Sequence, residues 1–264
     1  MLRTENNSMK MKVKFKPEMI DNPPPKMGFP APESIPRRPT SPIGCNIGEL
    51  DAHLKKYVEI LMDNGADEAR IISAREIPQD PRVLLKCHSP RCPFYGVSGS
   101  CPPHFSTTFQ QAKENLSAYT WAIAFRLDIP DEVIASLTGP GCTDAFATKE
   151  GYHQYGSLLR YLWNMGDEAE SAAYYDGHYF AINCHFGPCL IGCCEEFGQC
   201  QEIKTGKCRF PLRAKPSIEQ SFSPDLMKLA TRLGWKNHMW GYCAYPQDFP
   251  EDYTPFAIGL VLIE

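Results

Sequence analysis

Residues 49–63, ELDAHLKKYVEILMD, place Leu50, Leu54, Val58 and Leu61 three and four positions apart, with charged residues between them. That period predicts an amphipathic helix, and Asn64-Gly65 supplies its stop. The folded region is therefore expected to begin near Gly48. Runs rich in β-branched and apolar residues predict short strands over 68–74 and 82–86 and a longer one over 119–127. Ser106 is placed to cap a helix over 107–116. Residues 150–173 form the longest helical pattern, with Tyr155, Leu158, Leu159 and Leu162 as its apolar stripe. Gly151, Gly156 and Gly166 fall inside it and weigh against an unbroken helix.

A strand is expected over 178–183. A helix over 224–233 follows, capped near Ser223 with Pro224 at its first position. Residues 234–253 are aromatic-rich and irregular, and the chain ends in the apolar strand PFAIGLVLIE. Helices interspersed with strands indicate a single mixed core, α/β or α+β, over 47–264. Ahead of it, residues 1–46 read as a proline-rich arm. Nine prolines from Pro17 to Pro42 favour extended chain over helix. The arm is either a flexible leader or a segment through which the chain assembles into oligomers.

Composition narrows the function. The 264 residues suffice for one large domain or two small ones, and 43% hydrophobic with 22% charged residues is ordinary for a globular protein. A formal net charge of −4 predicts no general attraction to nucleic acid or anionic lipid. No apolar run approaches a membrane span, and the basic N-terminus has no apolar segment of the secretory type. A cytoplasmic location is expected, where thiols stay reduced and clustered cysteines serve metal or redox chemistry more often than disulfides.

Six of the twelve cysteines fall within residues 184–208: Cys184, Cys189, Cys193, Cys194, Cys200 and Cys208. Cys189, one of the adjacent pair Cys193 and Cys194, Cys200 and Cys208 would supply four thiolates, the donor set of a [4Fe–4S] cluster. Interleaved glycines allow close backbone approach to such a group. Zinc is the rival, but its structural sites favour paired knuckles two to four residues wide, and of the spacings x3, x6 and x7 only the first fits. Cys184 and His185 are candidates for positions behind the ligands, Cys184 as a buried strand-end residue.

The second group is Cys87-x4-Cys92-x8-Cys101, in a loop with Gly96, Gly99 and the pair Pro102-Pro103. It offers three thiolates. Cys243, His88, His104, another chain or an exogenous molecule are candidates for a fourth ligand. Three protein ligands would leave one iron open for catalysis. Arg209, Arg213 and Lys215 either screen a negative cluster or form a solvated basic face.

These two segments resemble an uncharacterised family described as predicted metal-binding proteins of anaerobic bacteria and archaea. Cys92, Pro93, Tyr95, Gly96, Cys101, Pro102 and Pro103 match its first element. Cys208, Arg209, Pro211, Pro216, Ser217 and Glu219 match its second, with Lys215 standing where the family usually has arginine. The resemblance spans about residues 50–235. It implies metal binding and brings no reaction.

The function expected is that of an iron–sulfur protein with one or two [4Fe–4S] clusters, passing electrons to a redox partner or enzyme subunit in anaerobic metabolism. The alternatives are a redox enzyme working at an open cluster on Cys87, Cys92 and Cys101, and a zinc-stabilised binding or scaffold protein.

Overall fold

The computed structural model describes residues 49–89, 91–92, 94–129, 149–235 and 256–264. The proline-rich arm, Cys142, Cys243 and the aromatic-rich stretch from 236 to 255 therefore lie outside the described residues. Helix α1 (Leu50–Asp63) forms where the period predicts it and turns its apolar stripe inward, burying Leu54, Tyr57 and Leu61. Gly65, at φ 106°, takes the left-handed turn that ends it.

Strand β1 (Glu68–Ser73) follows, and β2 (Trp121–Asp128) pairs with it antiparallel, Ile71 opposite Ile123. Strand β4 (Phe256–Ile263) lies on the other side of β2, with Trp121 opposite Ile263. Strand β3 (Ile182–Cys184) closes the sheet on the far side of β4, giving the order β1-β2-β4-β3. Every pairing is antiparallel, so of the two classes left open by the sequence the fold is α+β.

The continuous apolar run of β4 has a physical reason: both faces of the sheet are covered. Ile123, Phe125, Leu127, Val261 and Ile263 face α1 and the long helix α4 (Lys149–Tyr175). Ala122, Ala124, Ile258, Leu260 and Leu262 face two short helices, α7 (Ile218–Phe222) and α8 (Leu226–Arg232). On the α4 side, Asp176 fastens α1 to the chain just beyond α4, accepting hydrogen bonds from Lys56 Nζ at 2.6 Å and Tyr57 Oη at 3.0 Å.

Helix α4 runs unbroken through its glycines. They are places where other parts of the chain come close. A Cβ on Gly166 would strike the Asn183 side chain, and one on Gly156 would lie 2.7 Å from Ile191.

Several expected elements differ. Residues 82–86 are no strand; Arg82–Leu85 is a short helix, α2. Asp80 accepts the Arg82 backbone N–H at 2.8 Å and Pro81 sits in helical conformation, so Asp-Pro starts a turn. Helix α3 (Phe109–Ser117) starts two residues late, because Thr108 forms a reciprocal capping box with Gln111 that Ser106 cannot make. Residues 178–181 turn, with the Ala181 N–H bonded to the His178 carbonyl, which leaves only Ile182–Cys184 to pair. Helix α8 is capped by Asp225, and Ser223, at φ 49°, ends α7 instead. Helix α7 itself has no counterpart in the sequence reading.

The second cysteine segment is more helical than a bare loop. Helix α5 (Cys189–Cys194) and helix α6 (Gln201–Thr205) flank a turn that ends at Gly198 in left-handed conformation. Gly192 in α5 lies so close to the Trp163 ring of α4 that no Cβ fits between them. Gly192→Ala is expected to lower unfolding free energy by about 1–3 kcal/mol through overpacking, read from urea denaturation. An unchanged midpoint would mean that α5 is not seated against α4 as described.

Candidate metal centre

Helix α5 carries Cys189, Cys193 and Cys194 and is held against α4 by buried Ile191, which packs beside Gly156. Cys200 precedes α6 and Cys208 follows it after Gly206, which is left-handed at φ 73°. The electrostatic neighbourhoods divide the adjacent pair. Burial pushes the Cys194 thiol up to about 11; Cys189, Cys200 and Cys208 raise it further, and Arg209 opposes them. Burial likewise pushes Cys193 up to about 12, but its charged neighbours are Cys189, Arg213, Cys194 and Asp167. Cys193 packs against the core that α4 lines, while Cys194 shares its electrostatic neighbourhood with Cys189, Cys200 and Cys208.

The first cysteine segment sits directly beside the second. Ser98 Oγ lies 3.4 Å from Cys189 Sγ, and the Gly99 backbone N–H donates to Cys200 Sγ at 3.4 Å. Ser100 Oγ accepts the Cys189 backbone N–H at 3.2 Å. Ser98 and Ser100 are themselves buried and 3.0 Å apart through their hydroxyls. A Cβ on Gly99 would meet the tip of the exposed Glu202 side chain.

Cys87, Cys92 and Cys101 form their own neighbourhood. The Cys92 N–H bonds the Cys87 carbonyl at 3.3 Å, and Gln220 Nε2 donates to Cys87 Sγ at 3.3 Å. Burial pushes Cys87 up to about 11 and Cys101 up to about 12. All nine described cysteines are free thiols. Among the described residues, no three His, Cys, Asp or Glu side chains converge closely enough to hold one metal ion; the thiols are grouped as neighbours, short of chelating distance. In type and burial the donors suit a thiophilic metal, and the N–H and O–H groups aimed at sulfur suit thiolate ligands.

The remaining candidates fall into place. Cys184 belongs to the core on the opposite sheet face, and burial raises its thiol strongly. His88 is exposed and stands edge-on to Tyr95, while His104 is exposed with Nε2 3.4 Å from the Gly96 carbonyl. Neither turns toward the thiols. The Arg209 guanidinium stacks 3.6 Å above the Phe197 ring, beside Cys194.

Lys215 is engaged elsewhere. It bridges Asp167 at 3.1 Å and Glu170 in a buried network that sequence reasoning missed. His185 Nε2 bonds the same Asp167 oxygen at 3.0 Å, and its ring stacks on Trp163 with centroids 4.2 Å apart. Burial pushes the His185 pKa down, and the hydrogen bond and charge of Asp167 pull against it. The network's segments, 167–170 on α4 and 183–185 at the end of β3, are joined again by Asn183 Nδ2 donating to Asp167 at 2.9 Å.

Lys215→Met leaves two buried carboxylates without their cation and is expected to cost about 3–5 kcal/mol, measured by chemical denaturation. For Asp167, burial raises the pKa, but His185, Lys215 and Asn183 outweigh it and hold the carboxyl well below its usual range. A depressed carboxyl stabilises fully above its unfolded value, about 4, and loses that stabilisation as pH falls toward the folded value. Asp167→Asn should therefore flatten the acid limb of the stability profile below about pH 5. An unchanged acid limb would contradict this assignment.

Among the described residues, no helix is long and apolar enough to cross a membrane. No curated protein and no solved structure gives a significant match to the chain. A family model does match, over residues 70–263, a span that takes in both cysteine segments and the whole sheet but for the first residues of β1. The chain belongs to the family described as predicted metal-binding protein (DUF2284).

Proposed function

We propose that the chain is a cytoplasmic iron–sulfur protein in which Cys189, Cys194, Cys200 and Cys208 hold a [4Fe–4S] cluster, and that it passes single electrons to a protein partner. The observation carrying this reading is the pair of polar groups beside sulfur: the Gly99 N–H donates to Cys200 Sγ, and the Ser98 hydroxyl lies 3.4 Å from Cys189 Sγ, placed to donate to a thiolate there. A thiolate accepts such bonds far better than a neutral thiol, and hydrogen bonds to sulfur are one means of setting cluster potential. Buried neutral thiols gain little from them.

A bound cluster would supply one-electron chemistry. The chain's own residues hold the four sulfurs, exclude water and balance charge. Cys189 and Cys194 are buried, while Cys200 and Cys208 are only half-buried, so the site has one side nearer solvent, where an electron partner would approach. Arg209 beside Cys194 offsets part of the negative charge. Cys87, Cys92 and Cys101 belong to the same reading as a second metal centre.

Iron and acid-labile sulfide assays on anaerobically purified protein test the reading. About four of each per chain are expected for one cluster and about eight for two, with a paramagnetic signal appearing on dithionite reduction. Stoichiometric zinc without sulfide would overturn it. Cys194→Ser should remove the signal of the Cys189–Cys208 cluster and Cys193→Ser should leave it. The reverse pattern would make Cys193 the ligand.

A further inference from the structure

We propose that the proline-rich arm, through residues 17–43, docks on its own chain over an aromatic surface made by Tyr174, Tyr175, Tyr179 and Phe180. The inference is independent of the metal reading and concerns the C-terminal end of α4.

The surface lies on the turn that joins α4 to β3. Of the ten large hydrophobic side chains exposed among the described residues, four fall within positions 174–180, and Phe180 is 77% exposed. The Tyr174 ring stands edge-on to Tyr175 and Tyr179, with centroids 5.8 and 5.3 Å away. The backbone beneath these rings is anchored. His178 is buried among them, with its Nε2 3.3 Å from His53 Nδ1 of α1. Asp176 holds Lys56 and Tyr57, and the Phe180 N–H donates to Glu264 Oε1 at 3.1 Å. Contiguous apolar surface of this kind marks an interaction site. Tyrosine, with an apolar face and a polar tip, suits a contact that is half wet.

Chain continuity names the occupant. The residues of α1 that touch the turn, His53, Lys56 and Tyr57, lie in its first two turns. The arm therefore enters α1, at Leu50, beside the aromatic surface. The six residues from 43 to 48 give Pro42 a reach of roughly 20 Å in extended form. The other long stretches outside the described residues, 130–148 and 236–255, meet the fold at its far end. The first leaves just after Asp128, which pairs with Phe256, where the second returns. Trp235, where the second departs, stands edge-on to Phe256 at 6.1 Å. The aromatic turn lies at the opposite end of these strands, since Ile182 pairs with Leu262.

The composition of the arm fits the surface. Nine prolines from Pro17 to Pro42 favour a polyproline helix, which is already extended and binds aromatic-lined surfaces at little further entropic cost. Charge agrees as well. Residues 1–48 carry eight lysines and arginines against four aspartates and glutamates, and the rest of the chain nineteen against twenty-seven, so an arm of net charge +4 meets a body of −8. Glu264 Oε2, on the carboxylate that accepts the Phe180 N–H, is buried with no partner among the described residues. It offers a place to a lysine or arginine of the arm. The tether favours the chain's own arm over a second copy, because it sets a local concentration in the millimolar range.

The test uses the full chain with Phe180→p-benzoylphenylalanine, irradiated at low and at high protein concentration, with cross-links located by mass spectrometry. Cross-links to residues 17–43 are expected in a product of single-chain mass, in equal yield at both concentrations. Covalent dimers as the main product would assign the surface to a second copy and overturn the proposal. Cross-links confined to residues outside the arm would overturn it too. A second readout needs no photoprobe. Tyr174→Ser combined with Phe180→Ser, both at exposed positions, should release the arm and speed trypsin cleavage after Lys26 and Arg37 about tenfold, with the metal content of the chain unchanged. Equal cleavage rates in this variant and the wild type would contradict docking.

Discussion

The turn Ser98-Gly99-Ser100 against the start of α5 is the contact on which the site depends. Ser100 accepts the N–H of Cys189, Ser98 faces the Cys189 sulfur, and Gly99 donates to Cys200. Residues about ninety positions apart in the chain are thereby locked into one neighbourhood, with Cys101 and Cys189 close enough to influence each other's protonation. Without that turn the two cysteine segments would be separate loops. With it they are two thiol groups sharing a buried polar wall.

The sheet makes the contact possible. Strands β2 and β4 are covered by apolar side chains on both faces. β3 delivers the chain from the sheet into α5, and α4 backs α5 through Trp163 and Gly192. Behind α5, the Asp167, Glu170, Asn183, His185 and Lys215 network joins α4, β3 and the approach to α7. Such a network adds little net stability over apolar packing, but losing one member is expensive. It fixes β3 and the approach to α7 to one another, and β3 leads into α5.

Local patterns were legible where the local rule was decisive. The period of residues 49–63 and the apolar run at the C-terminus each point to what the structure contains. The misplaced elements share a cause. Arg82–Leu85 and Leu226–Arg232 are set by capping groups, Asp80 and Asp225, whose hydrogen bonds depend on one residue of register. The glycines of α4 read as breaks but are close approaches, which only the partners Asn183 and Ile191 reveal. The candidate thiols were visible, and their partition was not: Cys193 and Cys194 are adjacent in sequence but face different neighbours. Ser98 and Gln220 act on sulfur across long separations, which no local pattern in the sequence encodes.

Anomalous diffraction from anaerobically grown crystals, collected above and below the iron absorption edge, tests the central claim most directly. The account predicts an iron peak enclosed by Cys189, Cys194, Cys200 and Cys208, bordered by Ser98 and Gly99, with the Cys193 sulfur directed away toward Asp167. A peak present only at the zinc edge, or one lying against Cys193 and out of reach of Cys194, would contradict it.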